Sequence, residues 1–83
     1  MADAAAVEAA LLDLAARRAG RSFCPSEAAR ALADDWRPLM PLVRQVAARL
    51  QDRGALAATQ KGRPVRADAA RGPIRLSRPD SVS

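Results

Sequence analysis

The sequence predicts a mainly α-helical domain with a small β-hairpin at its C-terminal end. Three observations predict this class: a long two-faced segment over residues 36–54, two shorter helical segments before it, and two alternating segments after it. The 83 residues are enough for one domain only. Because much of the 49 % apolar content is alanine, large core side chains are few. The candidates are Val7, Leu11, Leu14, Phe23, Leu32, Trp36, Leu39, Val43, Val46, Leu50, Leu56, Ile74 and Leu76.

The first helix is predicted over residues 3–19. Val7, Leu11 and Leu14 share one face at helical spacing, and Gly20 follows as a helix terminator. Acidic residues interrupt the early apolar positions, which argues against a signal peptide. The alternative is an amphipathic helix that binds a membrane surface. Its polar face would be acidic and its apolar face small, and both features argue against membrane binding.

A second helix is predicted from Pro25 to Ala33. Proline is favoured in a first helical turn, and Glu27 complements the helix dipole there. Either Cys24 or Ser26 supplies the N-cap. The preceding residues 21–24 include an aromatic side chain and predict a brief strand. The side chains expected to face inward are Ala28, Ala31 and Leu32.

The third helix is predicted over residues 38–53, because proline is accepted in a first turn but not in a helix interior. Its apolar stripe consists of Leu39, Val43, Val46 and Leu50. Its opposite, exposed face is expected to carry Arg37, Arg44, Ala48 and Gln51, with Gln45 and Asp52 at the edge. Gly54 ends the helix, and Arg49 and Arg53 complement its dipole.

Two alternating segments follow, at residues 55–61 and 73–77. The connection between them is too long for a tight turn, and residues 68–71 are expected to form a helical turn within it. The element order is that of a winged helix, with three helices and a two- to three-stranded wing. We expect a single domain over residues 1–76 and a flexible tail over residues 77–83.

The whole chain has a net charge of +5, and its basic residues are concentrated in the second half. Residues 1–35 hold four basic and six acidic side chains, whereas residues 36–83 hold ten basic and three acidic ones. A basic half indicates a polyanionic partner. The alternative is compositional, because thirteen of the fourteen cations are arginine in an alanine-rich chain, as GC-rich coding produces.

The residue types argue against an enzyme and against a metal site. The chain has no histidine, no tyrosine and a single cysteine. Cys24 lacks a neighbouring base and is expected to be a structural thiol, and no catalytic residue, metal, cofactor or small-molecule substrate is predicted. One cysteine and the lack of a membrane-spanning stretch predict a cytoplasmic protein that does not bind membranes.

Four blocks of this sequence together resemble a known family of small bacterial proteins called domain of unknown function 3253. The blocks are residues 24–30, 36–44, 59–62 and 72–76, and the resemblance covers about residues 7–76. It implies a winged-helix-like fold and a bacterial cytoplasmic setting, and it transfers no catalytic role to this chain. The family pattern implies Asp-Pro after Val65, where this chain has Arg66-Ala67, so a more basic and looser wing is expected.

Two functions remain open. The first is that of a transcription-regulator-like module that binds duplex DNA through helix 38–53 and the basic wing 61–71. On the helix, Arg37, Arg44 and Gln45 would meet the major groove, where Gln45 suits adenine and Arg44 suits guanine. On the wing, the side chains expected to contact phosphate or the minor groove are Lys61, Arg63, Arg66 and Arg71.

The second function is that of a protein-interaction or dimerisation module with no nucleic-acid binding. It predicts an exposed apolar patch that combines Met40 with Leu42 or Leu12. The position of Trp36 differs between two interpretations. It is expected to pack as a wedge between the second and third helices, and the alternative is that it stacks on a nucleic-acid base.

Overall fold

Three α-helices precede a three-stranded antiparallel sheet in the computed structural model, which describes residues 3–79. The helices are α1 (Ala4–Arg17), α2 (Pro25–Leu32) and α3 (Met40–Asp52), and the strands are β1 (Ala57–Gln60), β2 (Arg63–Pro64) and β3 (Arg75–Ser77). The predicted helix-rich class with a small sheet is confirmed, and the arrangement is compatible with a winged helix.

The sheet has β1 at its centre, between β2 and β3. Ala58 pairs with Leu76 on one side, and Thr59 pairs with Pro64 on the other. Beyond β3, Phe23 and Leu76 exchange two backbone hydrogen bonds of 2.8 Å each. The brief strand predicted before α2 is therefore a single bridge that ties the connection between α1 and α2 to the sheet.

A two-residue turn joins β1 to β2, where a long loop was expected. Lys61 has φ 52° and Gly62 has φ 80°, and positive φ at both central residues is what a type I′ hairpin turn requires. Pro64 lies in the short edge strand, where its missing N–H is tolerated. The Val65 N–H donates to the Ala58 carbonyl at 3.0 Å, so the hairpin pairing extends past the proline.

Glu27 links the end of α1 to the start of α2. One carboxylate oxygen accepts a hydrogen bond of 2.6 Å from Arg18, and the other accepts one of 3.0 Å from the Cys24 N–H. Cys24 is the N-cap residue of α2. The hydrogen bond from Arg18, and next that from Cys24, holds the pKa of Glu27 below its ordinary value of 4.5.

The third helix begins later than predicted. A single 3₁₀ turn, Arg37–Leu39, leads into α3, which starts at Met40 and ends at Asp52. Two prolines cause this start, because Pro38 and Pro41 each lack the N–H that a helix interior uses. Both lie in first turns, where that donor has no intrahelical partner anyway.

The core lies where the three helices and the inner face of the sheet meet. Its largest fully buried side chains are Phe23, Leu11, Leu50, Ile74, Leu76, Val7, Val43 and Val46. Four further residues predicted for the core are only partly buried: Leu14, Leu32, Trp36 and Leu39. Ala31 is exposed, which contradicts its predicted inward position. Ala29 is buried instead, because α2 contacts both α1 and α3.

The predicted tail, residues 77–83, includes a residue of the sheet. Ser77 belongs to β3 and is 8 % exposed, so it is part of the folded domain. Residues 80–83 of that tail lie outside the described residues. Among residues 3–79, no helix combines the length and hydrophobicity needed to cross a membrane.

Candidate nucleic-acid interface

One face of α3 that was predicted to be exposed is covered by the loop of residues 65–72. Ala48, in the middle of that face, is 4 % exposed, and Arg44 and Gln51 on either side are partly buried. Opposite them, the loop residue Ala67 is completely buried. The prediction of an exposed Arg44–Ala48–Gln51 face is therefore wrong, because its long polar side chains bind loop backbone.

Gln51 holds the first half of this loop. Its amide nitrogen donates to the Val65 carbonyl at 2.8 Å, and its amide oxygen accepts from the Ala67 N–H at 2.8 Å. A proline at position 67, which the family resemblance implies, has no N–H to donate. Ala67 supplies this N–H, so the hydrogen bond fixes the loop to α3.

Arg44 and Gln60 hold the second half of the loop. Arg44 donates from its two terminal nitrogens to the carbonyls of Ala70, at 2.7 Å, and Gly72, at 2.6 Å. The Gln60 amide nitrogen donates to the carbonyls of Arg71 and, at 3.2 Å, Pro73. Four consecutive carbonyls, 70–73, therefore accept from one side chain on α3 and one on β1. This fixes the backbone that carries Arg71.

A groove on the outer side of the wing brings three of the predicted site residues together. It is an open depression of about 800 Å³, and its lining residues are Gln60, Lys61, Arg63, Pro64, Val65, Arg71 and Pro73. Lys61, Arg63 and Arg71 are exposed, and their side chains make no hydrogen bond or ion pair with any other residue in the described range 3–79. The groove therefore combines an apolar surface with three uncompensated positive charges.

Arg66, the fourth predicted wing cation, is neutralised by carboxylates. It forms an ion pair of 2.6 Å with Asp52 on α3 and one of 3.4 Å with Asp68 in the loop. The hydrogen bond to Asp52 is the main cause that raises the pKa of Arg66 above its ordinary value. Since two carboxylates face one guanidinium, this group adds no free positive charge to the wing.

Arg37 lies with a second arginine over the indole of Trp36. The guanidinium carbons of Arg30 and Arg37 are 4.6 and 4.7 Å from the centre of the indole ring, within the range of cation–π contacts. Trp36 itself is partly buried against the core, at the corner between α2 and α3. This is the predicted wedge position, and two guanidinium groups lie over the ring on which a base would stack.

Gln45, the last predicted site residue, is exposed on α3, as is Arg49 one turn later. Within residues 3–79, neither side chain makes a hydrogen bond or ion pair. Arg49 was not predicted to belong to the site, because a cation near a helix C-terminus is explained by the helix dipole alone. The signal that points to it is its spacing of four residues from Gln45, which places both on one face.

The residue types that bind metals are not clustered in the part of the chain that the structure describes. Across residues 3–79, no group of three or more His, Cys, Asp or Glu side chains lies close enough to hold a metal ion. The Cys24 thiol is partly buried, 3.1 Å from the Ser26 hydroxyl. The apolar residues expected to form a protein-binding patch are all partly buried against the core: Leu12, Met40 and Leu42.

Comparison with known proteins gives one family. The sequence model of a family described as Protein of unknown function (DUF3253) matches residues 4–79, which is nearly the whole chain. No curated protein matches the sequence. The description of the family names no activity, so the arrangement of the cations on the wing and on α3 is the main clue to function.

Proposed function

We propose that this chain, which belongs to the DUF3253 family, binds duplex DNA through phosphate contacts made by its wing. The observation that carries the proposal is the wing groove, where Lys61, Arg63 and Arg71 lie around one open depression without a carboxylate partner among residues 3–79. Cations left unpaired on a surface attract polyanions, and phosphate contacts supply most of the affinity of non-specific DNA binding.

The backbone beneath this groove supports the proposal because it is held rigidly. Arg71 lies within the segment 70–73, whose four carbonyls accept hydrogen bonds from Arg44 and Gln60. A cation on a fixed backbone loses less conformational freedom on binding than one on a mobile loop. Arg44 is therefore a positioning residue in this proposal, and it does not contact bases itself.

The position of the acidic residues limits the proposed interface. Asp52 and Asp68 flank Arg66, so this cluster carries a net negative charge and repels phosphate. Arg66 bonds Asp52 in the last turn of α3, whereas Arg44, in its first half, bonds the carbonyl groups on either side of Arg71. The proposed interface accordingly consists of the wing groove and the exposed side of α3 before Asp52, and it leaves out Arg66.

The setting that we propose is the cytoplasm of a bacterium, where duplex DNA is accessible to a winged-helix protein. The domain would act there as a transcription-regulator-like module without a catalytic step. The competing proposal is an interaction or dimerisation module, in which the same surface meets a protein.

An affinity measurement separates these proposals. A labelled duplex of 16 base pairs is titrated with protein at low salt and followed by fluorescence anisotropy. The test variant replaces Arg63 and Arg71 by glutamine. The control variant replaces Arg17, which is ion-paired on α1, and Arg21, which is exposed before α2, so both variants lower the net charge from +5 to +3.

We expect the wing variant to lose about 10-fold or more in affinity, because two phosphate contacts disappear. The control variant should lose clearly less, since it changes only the net charge. Equal losses in both variants would contradict a specific role for the wing. A flat titration of the wild-type chain would end the DNA proposal and direct the search to a protein partner or a homodimer.

A further inference from the structure

The exposed stripe of α3, formed by Gln45 and Arg49, is separate from the two faces of the helix that the fold uses. At about 100° per residue, Gln45 and Arg49 point roughly 110° away from the face that binds the loop 65–72. They point roughly 110° away from the core-facing side chains of Val43, Val46 and Leu50 as well. Both side chains are exposed, and neither forms a hydrogen bond or an ion pair within residues 3–79. Their amide and guanidinium groups therefore remain available to a ligand.

The chemistry of these two side chains matches the edges of base pairs. Glutamine can donate and accept towards adenine, and arginine can donate two hydrogen bonds to guanine in the major groove. Arg44, the arginine first expected to contact guanine, cannot do so in this structure. Both of its terminal nitrogens already donate to the carbonyls of Ala70 and Gly72.

We infer that Gln45 and Arg49 are the base-contacting pair of α3, and that they confer a preference for an adenine and a guanine about two base-pair steps apart. The inference rests on the proposed DNA binding. The spacing follows from geometry. Four helical residues rise about 6 Å, and successive base pairs are about 3.4 Å apart, so the two side chains reach bases separated by one intervening pair.

The wing and the stripe then have separate tasks. Lys61, Arg63 and Arg71 hold the phosphates, which carry no sequence information directly, and Gln45 with Arg49 discriminates between bases. A well-formed contact of this kind gives a preference of about 5- to 150-fold over the wrong base. Loss of Arg49 should accordingly change which sequences bind, whereas loss of a wing cation should weaken binding to all sequences alike.

The test is selection of bound duplexes from a library with a randomised central segment, followed by sequencing. The wild-type chain should enrich an adenine and a guanine separated by one base pair. Arg49→Ala should lose the guanine, and Gln45→Ala should lose the adenine. The Arg17→Gln, Arg21→Gln variant, which leaves α3 and the wing unchanged, is the control, and it should keep both preferences. The urea midpoint of each variant, measured by Trp36 emission, shows whether it is folded.

Each other outcome overturns the inference. If the wild-type chain binds duplexes but enriches no sequence, the binding is by phosphates alone and α3 contacts no bases. If a preference exists and survives in Arg49→Ala and Gln45→Ala, other residues provide it. If no duplex is retained at all, the proposed DNA binding fails together with the inference. The first two results leave DNA binding by the wing intact.

Discussion

Replacing Arg44 by methionine is expected to destabilise the domain, although periodicity places this residue on a solvent-facing side of α3. Methionine keeps most of the aliphatic length of arginine and removes both hydrogen bonds to the loop. The bond to the Ala70 carbonyl is partly buried, and the bond to the Gly72 carbonyl is exposed. Their loss therefore has two different costs.

The partly buried bond from a charged donor contributes about 1.5 kcal/mol to the free energy of unfolding, and the exposed bond about 0.5 kcal/mol, because water replaces it more easily. The expected loss is thus about 2 kcal/mol. For a domain of this size, that loss lowers the melting temperature by about 8–16 °C. It is a large share of the total stability, which is about 5–10 kcal/mol in small domains.

Urea unfolding followed by Trp36 emission measures this loss directly, since the chain has one tryptophan and no tyrosine. Gln45→Ala, one position along the helix, is the control and should change stability by less than about 0.5 kcal/mol. Arg44→Lys should recover less than half of the loss, because one ammonium nitrogen replaces the two separate guanidinium nitrogens that reach the two carbonyls. A methionine variant as stable as the wild type would refute a role for Arg44 in holding the loop.

Three further predictions concern the fold. The pKa of Glu27 lies below 4.5, so its stabilising effect is complete above about pH 5 and disappears as the pH falls through the folded-state pKa. Glu27→Gln should therefore flatten the fall of the urea midpoint between about pH 5 and pH 3, and an unchanged fall would contradict this. Gly62→Ala should cost about 1 kcal/mol in urea unfolding, since φ is 80° there and no atom lies within 4 Å of the added methyl group. Phe23→Ala should cost about 3–5 kcal/mol and abolish cooperative thermal unfolding, whereas a cooperative transition near the wild-type temperature would argue against its central place in the core.

Local sequence signals predicted the helical part of the fold well. Alanine-rich segments ended by glycine, proline in first turns and apolar residues at helical spacing are all visible within a few neighbouring positions. The helices accordingly lie within a few residues of their predicted bounds. The turn at Lys61-Gly62 was missed because a lysine with positive φ is uncommon, so only glycine signalled it. The two-residue strand that follows was not predicted, because it contains Pro64 and proline is uncommon in strands.

The candidate site was harder to predict because its geometry depends on distant partners. Periodicity places Arg44 and Gln51 on the polar face of α3. It does not show that their partners are loop carbonyls 14 to 28 residues further along the chain. The same limit applies to Arg66, whose charge is compensated by Asp52 fourteen residues earlier. Conversely, Arg49 was overlooked because the helix dipole already explained its position.

The salt dependence of duplex binding tests the central claim most directly. If Lys61, Arg63 and Arg71 each neutralise one phosphate, the slope of log K against log salt is about −3 for the wild-type chain. The Arg63→Gln, Arg71→Gln variant should reduce the slope to about −1, whereas the Arg17→Gln, Arg21→Gln control should leave it near −3. A slope that is the same in all three proteins, or a wild-type chain that shows no binding at low salt, would contradict the assignment of the wing groove to DNA phosphates.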